Sequence, residues 1–431
     1  MARLLADITP LKYSADYRRL WAGLGLANMG TMVTATAVGL EVYDLTQSSA
    51  SVGLLGAFSL VPVVAFGLYG GAWADAHDRR RISLIASTIL WLTTIGIMLQ
   101  AFAHLGNVWL LYALVAIQGG ASSVNGAARS AIIPRLIPPE LLPAANALGT
   151  MTWTLASLCG PLIGAALVAA IGYGPTYVVD VVTFTAALYA LLRLPPMPPL
   201  DQEGDDASQD EVKGWRSVIQ GLKFLATRRN VLMTFLTDFC AMILAMPRSA
   251  FPAIALIILG GGDTTVGVLA AAIAVGTTGA SILSGPLGRV RRQGRAVVVS
   301  VGLWGLGVAA FGLVLVIAGR TRPDGVVWWA LILGGLALAF AGAADSVSAI
   351  FRGTILQVAT PDELRGRLQG VFIVVVTGGP RVGEFITGVD ADWLGEGWAV
   401  LAGGLACTVA VAALCRWHPA FLKYDAQHPV P

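Results

Sequence analysis

Seven ionisable residues of this sequence stand inside long apolar stretches: Glu41, Asp180, Asp238, Arg248, Asp345, Arg381 and Glu384. Each is costly there unless it is paired or reaches water, so each is a functional candidate. Glu41, beside Asp44, lies near the end of its run and reads as an interfacial group in water or as a site residue. Asp180 reads as a structural acid or a functional one. Asp238 and Asp345 lie deeper in their runs. Arg381 and Glu384 are three residues apart, so a helix puts them on one face. Two outcomes fit that spacing. They form a mutual ion pair, or Glu384 is a carboxylate whose proton affinity changes with its surroundings and which carries a proton. Asn28, Gln118 and Asn125 add neutral polarity to other runs. His77, His104, His418 and His428 are scattered. Cys159, Cys240, Cys407 and Cys415 lack metal-ligand spacing and read as small apolar fillers. No metal or other cofactor is expected, and no G-x-x-x-x-G-K-[ST] phosphate loop is present.

The elements that position these residues are membrane helices. Of 431 residues, 56% are hydrophobic and 12% charged, against about 25% charged in a soluble domain. Apolar runs long enough to cross the hydrocarbon core recur along the chain. The predicted spans are 19–43, 50–74, 82–102, 107–130, 143–170 and 175–193, then 229–258, 265–287, 296–318, 326–351, 368–389 and 396–416. The expected fold class is all-α: twelve transmembrane helices in two pseudo-symmetric six-helix bundles. The bundles cover residues 1–193 and 229–431, joined by a cytoplasmic linker at 194–228. The linker opens on Pro195, Pro196, Pro198 and Pro199, runs through Asp201 to Glu211, and ends in a surface helix over Trp215 to Ala226. Met1 to Leu20 lacks the apolar core and cleavage site of a secretory signal.

Charge sets the orientation. With the N-terminus inside, the inner segments hold about 24 of the 28 Lys and Arg residues, among them Arg79, Arg80, Arg81, Arg129, Arg135, Arg289, Arg352, Arg365 and Arg367. The outer loops hold only Arg320 and Arg322. Both termini are therefore expected in the cytoplasm, in the cytoplasmic (inner) membrane.

An internal repeat supports six plus six. An offset of 223 residues aligns Arg129 with Arg352, Pro138 with Pro361, Glu140 with Glu363, Leu141 with Leu364 and Asn146 with Gln369. Both copies fall at the inner end of the fourth span of their half. A P-x-E segment is also ordinary loop-to-helix chemistry, but five matches share one register. Parallel duplications of this kind hold a solute site near the midplane.

The loop after the second span reads Gly70-Gly71-Ala72-Trp73-Ala74-Asp75-Ala76-His77-Asp78-Arg79-Arg80-Arg81. It resembles the G-x-L-A-D-r-x-G-R-[RK] signature of the major facilitator superfamily, through Gly71, Ala74, Asp75, Arg79 and Arg80. Trp73, Ala76 and Asp78 depart from it. The fifth span carries Gly160-Pro161-Leu-Ile-Gly164-Ala165, similar to the G-P-x-x-G-G motif of exporters in that superfamily, though Ala147 and Ala156 stand where spaced glycines would precede it. It reads as an exporter-type helix or as a packing kink. Gly379-Pro380-Arg381-Val382-Gly383-Glu384 is a cousin one helical turn out of register and no clean repeat. Asp16-Tyr17-Arg18-Arg19-Leu20-Trp21, the A-R-S-x-I-x-P segment at Arg129 and the P-D-E-L-R-G-R segment ending at Arg367 make the chain resemble the enterobactin-exporter-like, drug-efflux branch over nearly its whole length.

The resemblance implies alternating access, with Asp75 latching the inner side against the start of the eleventh helix near Arg365 and Arg367. It implies that Asp238 and Asp345 line a central cavity. The superfamily's membrane-embedded arginine of the fourth helix would fall near Val115 and is missing, so the charges of the second half are expected to substitute. The expected function is export of an amphiphilic small molecule, siderophore or drug-like, by proton antiport, with substrate, protons and the bilayer as partners, no nucleic acid, and a monomeric state. The alternatives are a metabolite uniporter or importer, or an integral-membrane sensor or enzyme.

Overall fold

A chain surrounded by lipid has to satisfy its backbone hydrogen bonds internally, and helices do so locally. The computed structural model describes residues 7–198, 225, 227–285, 287, 290–358 and 362–425; the side chains of 68–76, 357 and 362–377 lie outside that description. Every regular element among the described residues is helical. After a short turn at Thr9–Tyr13 come α1 (Ala15–Thr46), α2 (Ser49–Ala76), α3 (Arg79–Phe102), α4 (Val108–Leu136), α5 (Leu142–Ile171) and α6 (Tyr173–Leu192). The second set is α7 (Arg229–Leu244, continued in shorter segments to Leu259), α8 (Gly262–Ile282), α9 (Gln293–Ala318), α10 (Trp328–Val358), α11 (Asp362–Leu394) and α12 (Glu396–Trp417). Eleven of these stretches are long and apolar enough to cross a membrane among the described residues. Exposed Trp109, Trp328, Trp393 and Trp398 sit at helix ends, where aromatic rings favour the membrane–water interface.

The chain forms two compact units, residues 1–38 with 58–215, and residues 39–57 with 216–431. The first unit buries Leu20, Ile132, Leu191 and Leu194 in one cluster, and Ala27, Leu90, Ala121, Phe184 and Ala187 in another. These residues come from α1, α3, α4, α6 and the turn that follows α6. Of the predicted linker, residues 199–224 and 226, which include most of the expected Trp215–Ala226 helix, lie outside the described residues.

The 223-residue register continues beyond the loop where the sequence shows it. Gly172 ends α5 and Gly395 ends α11, again 223 apart. Both have positive φ, +80° and +88°. Both donate their N–H to the carbonyl four residues back, Val168 and Ala391, at 2.9 Å. Only glycine adopts this conformation without strain, and it stops the helix.

The G-P-x-x-G motifs are 219 residues apart, yet they make matching contacts. A Cβ placed on Gly164 would lie 2.9 Å from the Val33 carbonyl oxygen, and one on Gly160 would overlap Met32, so α5 lies against the backbone of α1. Gly379 and Gly383 face Met242 and Ile243 in the same way, so α11 lies against α7. A slide of four residues is close to one turn and leaves the motif on the same face. The second motif is thus a structural counterpart of the first, although it is out of register.

Two sequence expectations change. The run 229–258 is not one helix: Ala245 and Met246 leave helical conformation, a 3-10 turn covers Pro247–Ala250, an α turn Phe251–Ile254 and a π segment Ala255–Leu259. Pro247 and Pro252 remove two donors and clash with the preceding turns, which hydropathy does not register. In addition, α10 runs seven residues past its predicted end at 351, to Val358. Arg352 is therefore a helix residue rather than a loop cation.

Candidate functional site

The helix break at Ala245–Met246 exposes Arg248 within the span of α7. A guanidinium exposed at that position needs water or counter-charge. Ser249, next to it, is buried and its Oγ donates to the Glu384 carbonyl of α11 at 2.6 Å. This bond ties the break to the helix that carries Arg381 and Glu384.

Glu384 is half-buried and lies in the field of both Arg248 and Arg381. Arg248 also acts on Asp345 of α10. Asp345 Oδ1 accepts from Arg352 Nη2 at 3.5 Å. The two residues lie seven apart on α10, two turns along one face. Arg352 is ion-paired through Nη1 with Asp238 of α7, and the pair is only 6% and 4% exposed.

These six groups alternate in sign: Asp238, Arg352, Asp345, Arg248, Glu384, Arg381. All lie in the second unit. Three carboxylates balance three guanidiniums, so formal charge cancels. In a low-dielectric span that balance lowers the cost of burial, and unpairing one member restores it. Exposure rises from the buried Asp238–Arg352 pair through the half-buried Asp345 to the exposed Arg248, beyond which Glu384 and Arg381 are again half-buried.

The other sequence candidates are placed elsewhere. Gln118 Nε2 donates to Thr94 Oγ1 at 3.1 Å in the first unit, and Asn28 is half-buried on α1. Asn125 accepts from Ser83 at 2.9 Å, and one turn on Arg129 donates to Ser87 at 3.2 Å. Arg129 and Arg352 thus share a register but contact different groups, a hydroxyl in one half and carboxylates in the other. Asp180 is buried with Thr183 Oγ1 3.5 Å from its Oδ1. Glu41, read either as an interfacial group in water or as a site residue, is buried.

Asp78, which replaces a signature glycine, caps α3 by accepting from Arg81 N at 3.2 Å and also accepts from Met197 N at 3.2 Å. Arg80 donates to the Leu191 and Leu192 carbonyls at 3.2 and 2.7 Å, closing the C-terminus of α6. Arg79 Nη1 stands 3.5 Å from the Ala131 carbonyl. Glu140 is exposed in a 3-10 turn, Pro139–Leu141. Gly71 and Asp75 fall at the end of α2, and Glu363, Arg365 and Arg367 at the start of α11; their side chains lie outside the description.

The sequence singles out Arg352 through the repeat with Arg129, not as a partner of Asp238 and Asp345. The signal was present: a seven-residue spacing from Asp345 places both on one helix face. The predicted helix end at 351 hid it.

Among the described residues, two sets of six long helices, with compensated charge in the spans of one set, define a polytopic membrane transporter. The chain belongs to the transmembrane secretion effector family of the major facilitator superfamily, whose family model matches residues 6–429. It is similar to proteins named enterobactin exporter EntS, from Citrobacter koseri at 25% identity over 384 residues and from Shigella boydii serotype 18 at 26% over 395. Each alignment covers 89% of this chain and 87% of the relative. Among solved structures, the POT family transporter PepTSo superposes with a TM-score of 0.73 at 13% identity, over 96% of this chain and 99% of that one. The nucleoside transporter NupG gives 0.71 at 15%, over 95% and 99%. These likenesses establish the fold, and the family is one of transporters, not enzymes.

Proposed function

We propose that the chain exports an amphiphilic small molecule from the cytoplasm across the inner membrane, by alternating access coupled to proton entry. The alternating series of charges in the second unit carries this reading. It supports proton coupling because Glu384 and Asp345 each sit between cations and are partly exposed. Gain of a proton by either carboxylate leaves an arginine undercompensated, and that imbalance is relieved by moving the arginine toward water or substrate. Arg248, exposed at a broken helix, is suited to meet an anionic group of the cargo. The relatives named enterobactin exporters favour a siderophore among amphiphilic cargoes. The resemblance of the Gly160-Pro161-Leu-Ile-Gly164 segment to the exporter motif favours outward transport. Asp75, Arg79 and Arg80, with Arg365 and Arg367, are assigned to the inner latch.

The test is reconstitution into liposomes with an imposed pH gradient, using enterobactin and the cationic dye ethidium as separate probes. Probe movement against its gradient, dependent on the proton gradient, is expected. Movement that only follows the probe gradient would favour a uniporter. A Glu384→Gln variant is expected to lose probe-induced proton release while still binding probe. Coupled transport in that variant would move the proton to Asp345 or Asp238.

A further inference from the structure

A carboxylate from α11 closes the N-terminus of α2. Asp392 accepts from Ser48 Oγ at 2.5 Å, from Ser49 N at 2.8 Å and from Ala50 N at 3.2 Å. Ser48 Oγ also accepts from Ser51 N at 3.1 Å, so it relays the helix end to the acid. The first turn of a helix has unsatisfied N–H groups and partial positive charge, and Asp392 answers both from another helix.

Beneath this cap the two backbones touch. A Cβ on Gly388 would lie 2.9 Å from Ala50 Cα, one on Gly53 2.7 Å from Phe385 Cα, and one on Gly56 3.2 Å from Arg381 Cα. Interlocking side chains are absent at these three glycines, so the seam can part without repacking a core. The cap adds three hydrogen bonds to Asp392 at its end. Asp392 is exposed, so water can replace its donors when the seam opens. The buried Asp238–Arg352 pair has no such substitute. The seam also runs over Arg381, Glu384 and Phe385, so parting it uncovers the half-buried Glu384–Arg381 end of the charge series.

We propose that Asp392 is a positioning residue for transport: it holds the α2–α11 seam shut on one side of the membrane and releases it in each cycle, so that Arg381 and Glu384 reach that side only when the cap is broken. This rests on the alternating-access reading above.

Two measurements test it, in a background with the four native cysteines replaced. First, Ser49→Cys is labelled with a membrane-impermeant maleimide. Labelling is expected to be slow in the parent, about tenfold faster with Asp392→Ala, as one charge-assisted cap is lost, and parent-like with Asp392→Glu. Equal rates in parent and Asp392→Ala, both monodisperse, overturn the proposal. Second, a Ser48→Cys/Asp392→Cys pair is oxidised. Movement of the probe that the parent transports is expected to fall at least about tenfold and to return on reduction. A static clasp would leave oxidised and reduced protein equally active, which also overturns the proposal. Labelling needs no cargo, so failure of the export reading shows separately, as absence of probe movement in the parent.

Discussion

Arg352 on α10 is ion-paired with Asp238 on α7, both almost fully buried, and the same guanidinium reaches Asp345 two turns earlier at 3.5 Å. One arginine therefore holds two carboxylates that lie on different helices. Removing one member of such a group leaves a buried charge without compensation.

Arg352→Gln is accordingly expected to destabilise the folded protein by about 3–5 kcal/mol. The double variant Asp238→Asn with Arg352→Gln is expected to recover most of that loss, because no net charge then remains unpaired. Thermal unfolding in detergent reads both. If the double variant is as unstable as the sum of the singles, the two residues are not energetically paired.

Gly164 packs against the Val33 backbone, whereas Gly149, on the same helix, has open space around it. Gly164→Ala is expected to cost about 1–3 kcal/mol through overpacking of α5 on α1 and to reduce transport. Gly149→Ala is expected to leave stability unchanged or slightly raised, since alanine favours helix over glycine. Equal effects at the two sites would mean that close packing is not what the motif supplies.

Arg80 closes α6 through two carbonyls. Arg80→Ala is expected to lower stability by about 1–2 kcal/mol. Arg80→Lys should restore only part of it, because an ammonium lacks the planar fork that serves both oxygens. Full rescue by lysine, measured by thermal unfolding, would reduce the contact to simple charge.

Asp75→Asn is expected to impair probe transport several-fold while leaving membrane insertion and yield intact. Full activity in that variant would remove the latch role assigned to the end of α2.

Much of the architecture was legible in the residues themselves. Spans, their number and the six-plus-six repeat are local properties, because lipid forces each segment to satisfy its own backbone and to present an apolar surface. Arg129 and Arg352 announced a register that Gly172 and Gly395 then shared in three dimensions. Asp238, Asp345, Arg381 and Glu384 were legible as candidates, since a charge in an apolar run is conspicuous wherever it lies.

Their order was decided only by tertiary packing. Asp238 and Arg352 are 114 residues apart, and no local rule links them. The break in α7 that exposes Arg248 and turns Ser249 onto α11 depends on two prolines acting within a packed environment. The Asp392 cap is farther still from sequence: its donors at Ser48, Ser49 and Ala50 lie more than 340 residues away. Hydropathy identifies which charges are costly. Only the fold determines which partner offsets each one, because the electrostatics of a buried group depend on distances that chain order does not encode.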